Sequence, residues 1–202
     1  MTPDELAKDE LSLIRAAANG EAAAFACLYD RYVKIVAKRL SHLLGPTSNV
    51  DDAVQETFIR AMNAMRQFRG ERPFRHWLLR IASSTARDQQ RRERRSLWRL
   101  FTEPEQIDRV LSPDVREAER YADLVEVHRA LRQLSPRLRE VVIFFELEGE
   151  SLADIAAELN VSLNTVASRL RRGRERLRAV LRRAGYADDV NRAPIIPVRG
   201  RT

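Results

Sequence analysis

The sequence has little of the chemistry from which disulfide-bonded, metal-binding or membrane-spanning proteins are built. Its 202 residues include one cysteine, Cys27, so neither an internal disulfide nor a Cys/His metal cluster is available. The Cys27 thiol is predicted to be buried or half-buried in a helix. No apolar run approaches the roughly 18 residues of a membrane span, and the acidic, polar N-terminus is unlike a secretory signal. We therefore expect a soluble, cytoplasmic protein.

Lysine is almost as scarce as cysteine. Lys8, Lys34 and Lys38 are the only lysines among 36 basic residues, against 29 acidic ones, so the net charge of +7 is carried almost entirely by guanidinium groups. Guanidinium makes bidentate contacts with phosphates and base edges, and such a balance favours a polyanionic partner. Genomic base composition also favours arginine over lysine, so this bias alone carries little weight.

Residue groupings typical of catalysis are also absent from the sequence. It has no clustered catalytic carboxylates and no glycine-rich phosphate loop, and His42, His76 and His128 are scattered. An enzyme acting on nucleic acid is therefore disfavoured. We expect no enzymatic activity, no metal and no other cofactor.

The most informative stretch runs from Ser151 to Arg183 and predicts two helices around a tight turn. Ser151 and Asp154 form a capping-box pattern ahead of an apolar helical face. Asn160 tolerates the left-handed conformation of a sharp stop, and Ser162 is a good N-cap for the second helix. The pattern is typical of a helix-turn-helix, whose second helix enters the major groove of duplex DNA.

The second of these helices has two contrasting faces. Apolar residues and Gly173 recur between Val166 and Leu181 as a core-facing stripe. On the other face, asparagine and arginine can contact base edges while further arginines meet phosphates. The alternative is an ordinary helical hairpin with a solvated charged face. The residues predicted to bind duplex DNA are Ser162, Asn164, Thr165, Ser168, Arg169, Arg171, Arg172 and Arg176.

An amphipathic helix is predicted farther upstream, over residues 50–65. Its stripe of Val54, Phe58, Ala61 and Met65 should be buried, whereas an isoleucine lies amid acids on the face that should meet water. An exposed apolar residue framed by carboxylates suggests a protein-contact patch. The residues assigned to this patch are Asp52, Gln55, Glu56, Ile59 and Asn63.

A basic loop at residues 66–72 precedes a basic helix, and Pro73 is well placed at the first turn of that helix. Aromatic rings can stack on bases while arginines follow the backbone, so this segment fits a surface for single-stranded nucleic acid. A solvated basic face is the alternative. The residues assigned to this surface are Phe68, Arg69, Phe74, Trp77, Arg80, Ser84, Arg87 and Arg91.

Periodicity divides the chain into four parts. Residues 1–95 predict a helical bundle, and residues 96–120, where Pro104 and Pro113 interrupt the pattern, predict a flexible linker. Residues 121–184 predict a compact four-helix domain, and residues 185–202 a disordered tail. The expected fold class is all-α, with two small helical domains joined by the linker.

With both halves in view, the chain resembles the bacterial extracytoplasmic-function (group 4) RNA polymerase sigma factors of the sigma-70 family. The family's D-x-x-Q-E-x-F pattern appears at residues 52–58 and its W-L-x-x-I-A pattern at residues 77–82. L-S-P-R-x-R-E-V follows at 134–141, E-G-x-S-x-x-[DE]-I-A at 148–156 and T-V-x-S-R-L-x-R-x-R at 165–174. Signatures of two different regions, one in each half of the chain and in the right order, are far more specific than a lone helix-turn-helix.

The resemblance implies a sigma factor that directs promoter-specific transcription initiation. The first domain, like sigma region 2, would bind the clamp helices of the largest polymerase subunit through the Asp52–Asn63 face. Its basic loop and helix would recognise and melt the −10 element. The second domain, like sigma region 4, would recognise the −35 element as duplex and contact the polymerase flap region. The expected regulator is an anti-sigma factor, which could hold the chain at the membrane.

The main alternative is a helix-turn-helix transcriptional regulator that binds duplex DNA without acting as a sigma subunit. The acidic face and the −10-like segment favour the sigma interpretation, because such a regulator needs neither. Two positions depart from the family's usual pattern. Ser84 replaces a frequent asparagine, and Asn160 replaces the usual glycine of the turn, a change that the left-handed geometry permits.

Overall fold

The structure, a computed structural model, describes residues 3–45, 50–99 and 127–183. The chain divides into two compact units, residues 1–105 and 106–202. Within the described ranges every regular element is helical, which confirms the all-α prediction. Residues 100–126 and 184–202, which include most of the predicted linker and all of the predicted tail, lie outside the described residues. None of the described helices is long and apolar enough to cross a bilayer.

The first unit is a helical bundle. It consists of α1 (Pro3–Ala18), α2 (Ala22–Leu44), α3 (Val50–Ala64), a short 3₁₀ turn (Met65–Gln67) and α4 (Phe74–Arg99). Helix α2 packs against the other three helices, and α3 also packs against α4. Helix α4 extends four residues beyond residue 95, where the sequence analysis ends the first domain.

The core of the first unit follows the predicted helical stripes, with one exception. Val54, Phe58, Ala61 and Met65 are all buried, as predicted. The predicted burial of Cys27 is wrong, because its side chain is exposed. Positions three, four and seven residues away on α2, which are Asp30, Ala23 and Lys34, are also exposed. This spacing places Cys27 on the face opposite the core.

The longest helix in the described part of the second unit is the last one, α8. The described part begins with helical residues 127–132, labelled α5, and continues with α6 (Pro136–Val142), α7 (Leu152–Leu159) and α8 (Leu163–Arg183). Helix α6 continues into a π-helical turn (Ile143–Leu147). Helix α8 packs against α6 and α7, and its predicted stripe is buried throughout. The buried stripe residues are Val166, Leu170, Gly173, Leu177 and Leu181.

Candidate nucleic-acid interface and polymerase-contact face

The turn between α7 and α8 has the predicted capping geometry. Ser151 Oγ accepts a hydrogen bond from the Asp154 N–H at 3.1 Å and lies 2.6 Å from its carboxylate. Asn160 ends α7 in the left-handed conformation, with φ 53° and ψ 50°. Ser162 Oγ then accepts the Thr165 N–H at 3.2 Å and caps α8. Local side-chain chemistry thus fixes where the second helix starts, and with it the side chains at its exposed end.

A groove of about 590 Å³ lies beside the start of α8, between this helix and α6. Six of the eight residues predicted to bind duplex DNA line it, together with three residues at the beginning of α6. Its lining contains four arginines and no carboxylate, so the groove attracts phosphate groups. The lining residues are Ser135, Arg137, Leu138, Asn164, Thr165, Ser168, Arg169, Arg172 and Arg176.

Sequence reasoning missed the α6 side of this groove. Ser135, Arg137 and Leu138 belong to a different helix, and only tertiary packing brings them beside α8. The L-S-P-R-x-R-E-V pattern marks their segment in the sequence but does not indicate that they share a groove with residues 164–176.

Two predicted residues, Ser162 and Arg171, do not line the groove. The Ser162 side chain caps α8 and also hydrogen-bonds to the Thr165 hydroxyl at 2.8 Å. Arg171 Nη1 donates to Glu175 Oε1 at 2.9 Å and lines a separate pocket of about 370 Å³ next to α7. Arg172, in contrast, faces the groove, and its Nη2 donates to Ser168 Oγ at 2.7 Å, which orients its guanidinium.

The predicted −10 surface contains a cluster of aromatic rings. The ring centres of Phe68, Phe74 and Trp77 lie 5.3–5.4 Å apart, and Tyr32 of α2 joins them at 5.4 Å from Phe74. Phe74 is only 2% exposed. Phe74 is therefore covered within the cluster, whereas the rings of Phe68 and Trp77 are half-buried and remain partly accessible.

Tyr32 links this aromatic cluster to α1. Its hydroxyl donates to the Glu10 carboxylate, and Arg31 Nη2 donates to Asp9 at 2.9 Å beside it. Burial and then the hydrogen bond to Glu10 raise the pKa of Tyr32 above its ordinary value. The first helix is thus fastened to α2 next to the −10 surface.

The polar side chains predicted for the −10 surface are accessible. Arg69, Arg80 and Arg91 are exposed, and Ser84 and Arg87 are half-buried. The four on α4 recur at helical spacing and share one face. Together with Phe68 and Trp77, they provide the combination of rings and guanidinium groups that single-stranded nucleic acid requires.

The predicted acidic face of α3 is also exposed. Asp52, Gln55 and Asn63 are open to solvent, and Ile59 is 51% exposed. Met62, one helical turn from Ile59, is 52% exposed and was missed by sequence reasoning. The face therefore combines carboxylates with two unburied apolar side chains, which is characteristic of a protein-contact surface.

Arg60 connects this face to α4. Its Nη1 donates to Asp88 of α4 at 2.7 Å, and its Nε donates to Glu56, on the acidic face, at the same distance. These two hydrogen bonds, led by that to Asp88, raise the pKa of the Arg60 guanidinium. The half-buried Glu56 carboxylate is therefore held in a fixed position at the edge of the face.

The comparisons with known proteins match a family to each half of the chain. The Sigma-70 region 2 family matches residues 28–96, and the Sigma-70 region 4 family matches residues 124–177. The chain belongs to the sigma-70 family. The RNA polymerase sigma factor NccH of Alcaligenes xylosoxydans xylosoxydans is 35% identical over 174 residues, which cover 84% of this chain and 93% of NccH.

Two further relatives extend this comparison. The ECF RNA polymerase sigma-E factor of Escherichia coli K12 is 33% identical over 181 residues, covering 81% of this chain and 89% of that protein. The solved structure of CnrH in complex with the cytosolic domain of CnrY is similar with a TM-score of 0.62 at 30% identity, covering 87% of this chain and 98% of CnrH. The chain is a sigma factor of the extracytoplasmic-function type and acts in promoter-directed transcription. Its family implies core RNA polymerase and promoter DNA as partners.

Proposed function

We propose that this sigma factor holds core polymerase through the acidic face of α3 and binds its promoter at two separate points. The polymerase contact is to the clamp helices of the largest subunit, made by Asp52, Gln55, Glu56, Ile59 and Asn63. Ile59 and the neighbouring Met62 supply apolar area at its centre, and the carboxylates supply charge at its edge. RNA synthesis is performed by core polymerase, and the sigma chain contributes binding rather than catalysis.

The −10 element is bound by the aromatic cluster and the basic face of α4. Unpairing a base costs a few kcal/mol, and stacking of the released base on an aromatic ring returns about 1–3 kcal/mol. Phe68 and Trp77 are the rings placed to do so, and Arg69, Arg80, Arg87 and Arg91 neutralise the adjacent backbone. Ser84 lies among them and presents a hydroxyl to the same strand.

The −35 element is recognised as duplex by the start of α8. The observation that carries this assignment is the groove itself, in which four arginines and no carboxylate line one concave surface. Asn164 and Arg172 are placed to contact base edges, and Arg169, Arg176 and Arg137 to contact phosphates. The flap region of the polymerase is the second contact of this unit on core.

An anti-sigma factor regulates the chain from outside. CnrH, with which this chain shares its fold at 30% identity, was solved in complex with the cytosolic domain of CnrY. By that similarity we propose that a partner of the same kind sequesters this sigma factor. The chain then acts in the cytoplasm and is held at the membrane only when its anti-sigma partner is membrane-bound.

The proposal is tested by reconstituting the full chain with core polymerase. We expect co-elution with core, and run-off transcription only from templates that carry the promoter selected by this holoenzyme. Replacing Glu56 with Arg should weaken core binding at least tenfold, because it places like charge beside Arg60 and removes the carboxylate from the contact face. Replacing Arg172 with Ala should leave core binding intact and weaken −35 use by about 1–3 kcal/mol.

Asp30→Arg serves as the matched charge-reversal control, since Asp30 is exposed and belongs to none of the three proposed surfaces. Equal core affinity of the Glu56→Arg chain would remove the clamp-face assignment. If the chain bound duplex DNA alone but neither co-eluted with core nor directed initiation, a helix-turn-helix regulator would be the better interpretation.

A further inference from the structure

Arg174 ends the T-V-x-S-R-L-x-R-x-R segment of the sequence, yet its side chain lies away from the DNA-binding groove. Its Nε donates to Glu146 Oε1 at 2.6 Å, and its Nη2 lies 2.5 Å from the same oxygen. Its guanidinium carbon is also 5.0 Å from the centre of the Phe145 ring. Arg174 therefore joins the middle of α8 to the π-helical turn.

The buried carboxylate of Glu146 depends on its pairing with Arg174. Its side chain is only 2% exposed, and a buried carboxylate is strongly disfavoured unless it is paired and hydrogen-bonded. The π turn that carries it is a rare element, which in proteins is frequently found at functional sites. It leads within five residues into α7, the first helix of the helix-turn-helix.

The residue before Arg174 makes a second close contact with the same part of the unit. A Cβ atom on Gly173 would lie 2.5 Å from Val142 Cγ2, at the end of α6. Two successive residues of α8 thus meet two successive segments, the end of α6 and the π turn. The glycine permits α8 to lie close to α6, and the ion pair joins α8 to the π turn.

We propose that Arg174 is a positioning residue for −35 recognition, which it serves without touching DNA. Its pairing with Glu146 fixes the rotation of α8, so that Asn164 and Arg172 in the groove are aligned with base edges. Side-chain ends lie about 5–6 Å or more from the axis of a helix, so even a small rotation displaces them enough to disturb a bidentate contact. The inference rests on the proposed recognition of the −35 element by α8.

The first test uses a −35 duplex selected by the wild-type holoenzyme from random DNA, with a scrambled duplex as reference. Arg174→Gln should reduce discrimination between them by about tenfold, comparable to the loss of one bidentate base contact. The slope of log affinity against log salt should stay unchanged, because the flexible side chains of Arg169 and Arg176 still reach phosphates after a small rotation, whereas a bidentate base contact requires fixed geometry. The matched control Arg176→Gln lies in the groove and should lower the magnitude of that slope by about 0.9.

A second variant separates positioning from stability. The pair Glu146→Leu with Arg174→Met removes both charges, so no buried carboxylate is left unpaired. We expect amide hydrogen exchange of this double variant to be as slow as in the wild type, while its discrimination remains about tenfold lower. Recovery of discrimination in the double variant would mean that the ion pair only stabilises the fold.

Three other outcomes would contradict either the inference or the proposed function. Unchanged discrimination in Arg174→Gln overturns the inference, and so does a reduced salt slope, which would make Arg174 a phosphate contact. If the wild-type holoenzyme selects no sequence at all, the proposed function fails instead, so the two failures are distinguishable.

Discussion

Replacing Gly173 with alanine is the most direct test of how closely α6 and α8 are packed. The added Cβ would lie 2.5 Å from Val142 Cγ2 and 3.4 Å from the Leu138 carbonyl oxygen. Val142 is completely buried and β-branched, so its side chain is stiff and has no free space to enter. The contact can be relieved only if the two helices move apart.

Two effects of this substitution oppose each other. Alanine in a helix interior is favoured over glycine by about 0.5–1 kcal/mol. Overpacking a closed core costs about 1–3 kcal/mol, and carbon atoms normally approach each other to about 3.5–4.0 Å. Since the new contact is far inside that range, we expect overpacking to prevail and to lower the free energy of unfolding of the second unit by about 1–2 kcal/mol, or roughly 5- to 30-fold in its equilibrium constant.

Amide hydrogen exchange of the full chain, followed by mass spectrometry, provides the assay. Tryptophan fluorescence would not serve, because Trp77 and Trp98 both belong to the first unit. Slowly exchanging amides of α6 and α8 should exchange roughly 5- to 30-fold faster in Gly173→Ala, with unchanged rates in the first unit.

The control variant, Val142→Ala, removes the methyl group that the new Cβ would contact. Starting from Val142→Ala, adding Gly173→Ala should cause no further loss and should return part of the helix preference of alanine. If Gly173→Ala in the wild-type background exchanged as slowly as the wild type, or more slowly, the close approach of α6 and α8 would be refuted.

Two further predictions concern a helix cap and a half-buried hydroxyl. Ser162→Ala removes the acceptor of the Thr165 N–H and should destabilise the first turn of α8 by about 1 kcal/mol, with weaker binding of the selected −35 duplex. Ser151→Ala removes the matching cap of α7 and should lower stability by a similar amount, with a smaller loss of binding. Equal losses of duplex binding in the two variants would contradict the assignment of −35 recognition to the start of α8. The raised pKa of Tyr32 means that its contribution to stability is fully present below the ordinary tyrosine pKa of about 10 and is lost as pH rises above it. Urea unfolding followed by tryptophan fluorescence from pH 9 to 11 should therefore show a steeper loss of stability in the wild type than in Tyr32→Phe, and parallel curves would contradict this.

The features that sequence analysis predicted correctly are local ones. Ser151, Asn160 and Ser162 act on backbone groups within a few residues of themselves, so their caps and turn follow from the order of residues alone. The buried stripes of α3 and α8 are equally predictable, because a regular helix repeats its faces at fixed spacing. These signals sufficed to locate the helix-turn-helix and the exposed face of α3.

The features that sequence analysis missed depend on irregular backbone or on a second element. The π turn takes up an additional residue, so Phe144 and Glu146 are buried and Phe145 is half-exposed, although a regular count of seven from Leu138 points to Phe145. Phe74 lies beneath other rings because α2 supplies Tyr32 beside it. Neither arrangement is encoded in the spacing of residues along one helix.

The arginine content first suggested a polyanionic partner. The fold shows that some of these arginines form hydrogen bonds inside the protein instead. Arg39 is completely buried and donates to Ser83 Oγ at 3.1 Å. Arg139 donates to the main-chain carbonyls of Leu131, Arg132 and Leu134 at 3.0–3.2 Å and so fastens the end of α5 to α6. A lysine ammonium is a point charge without the planar fork that reaches several carbonyls at once. Arginines that close the fold therefore have to be set aside before charge is assigned to DNA. On α8, Arg174 pairs with the buried Glu146, whereas Arg169, Arg172 and Arg176 line the groove.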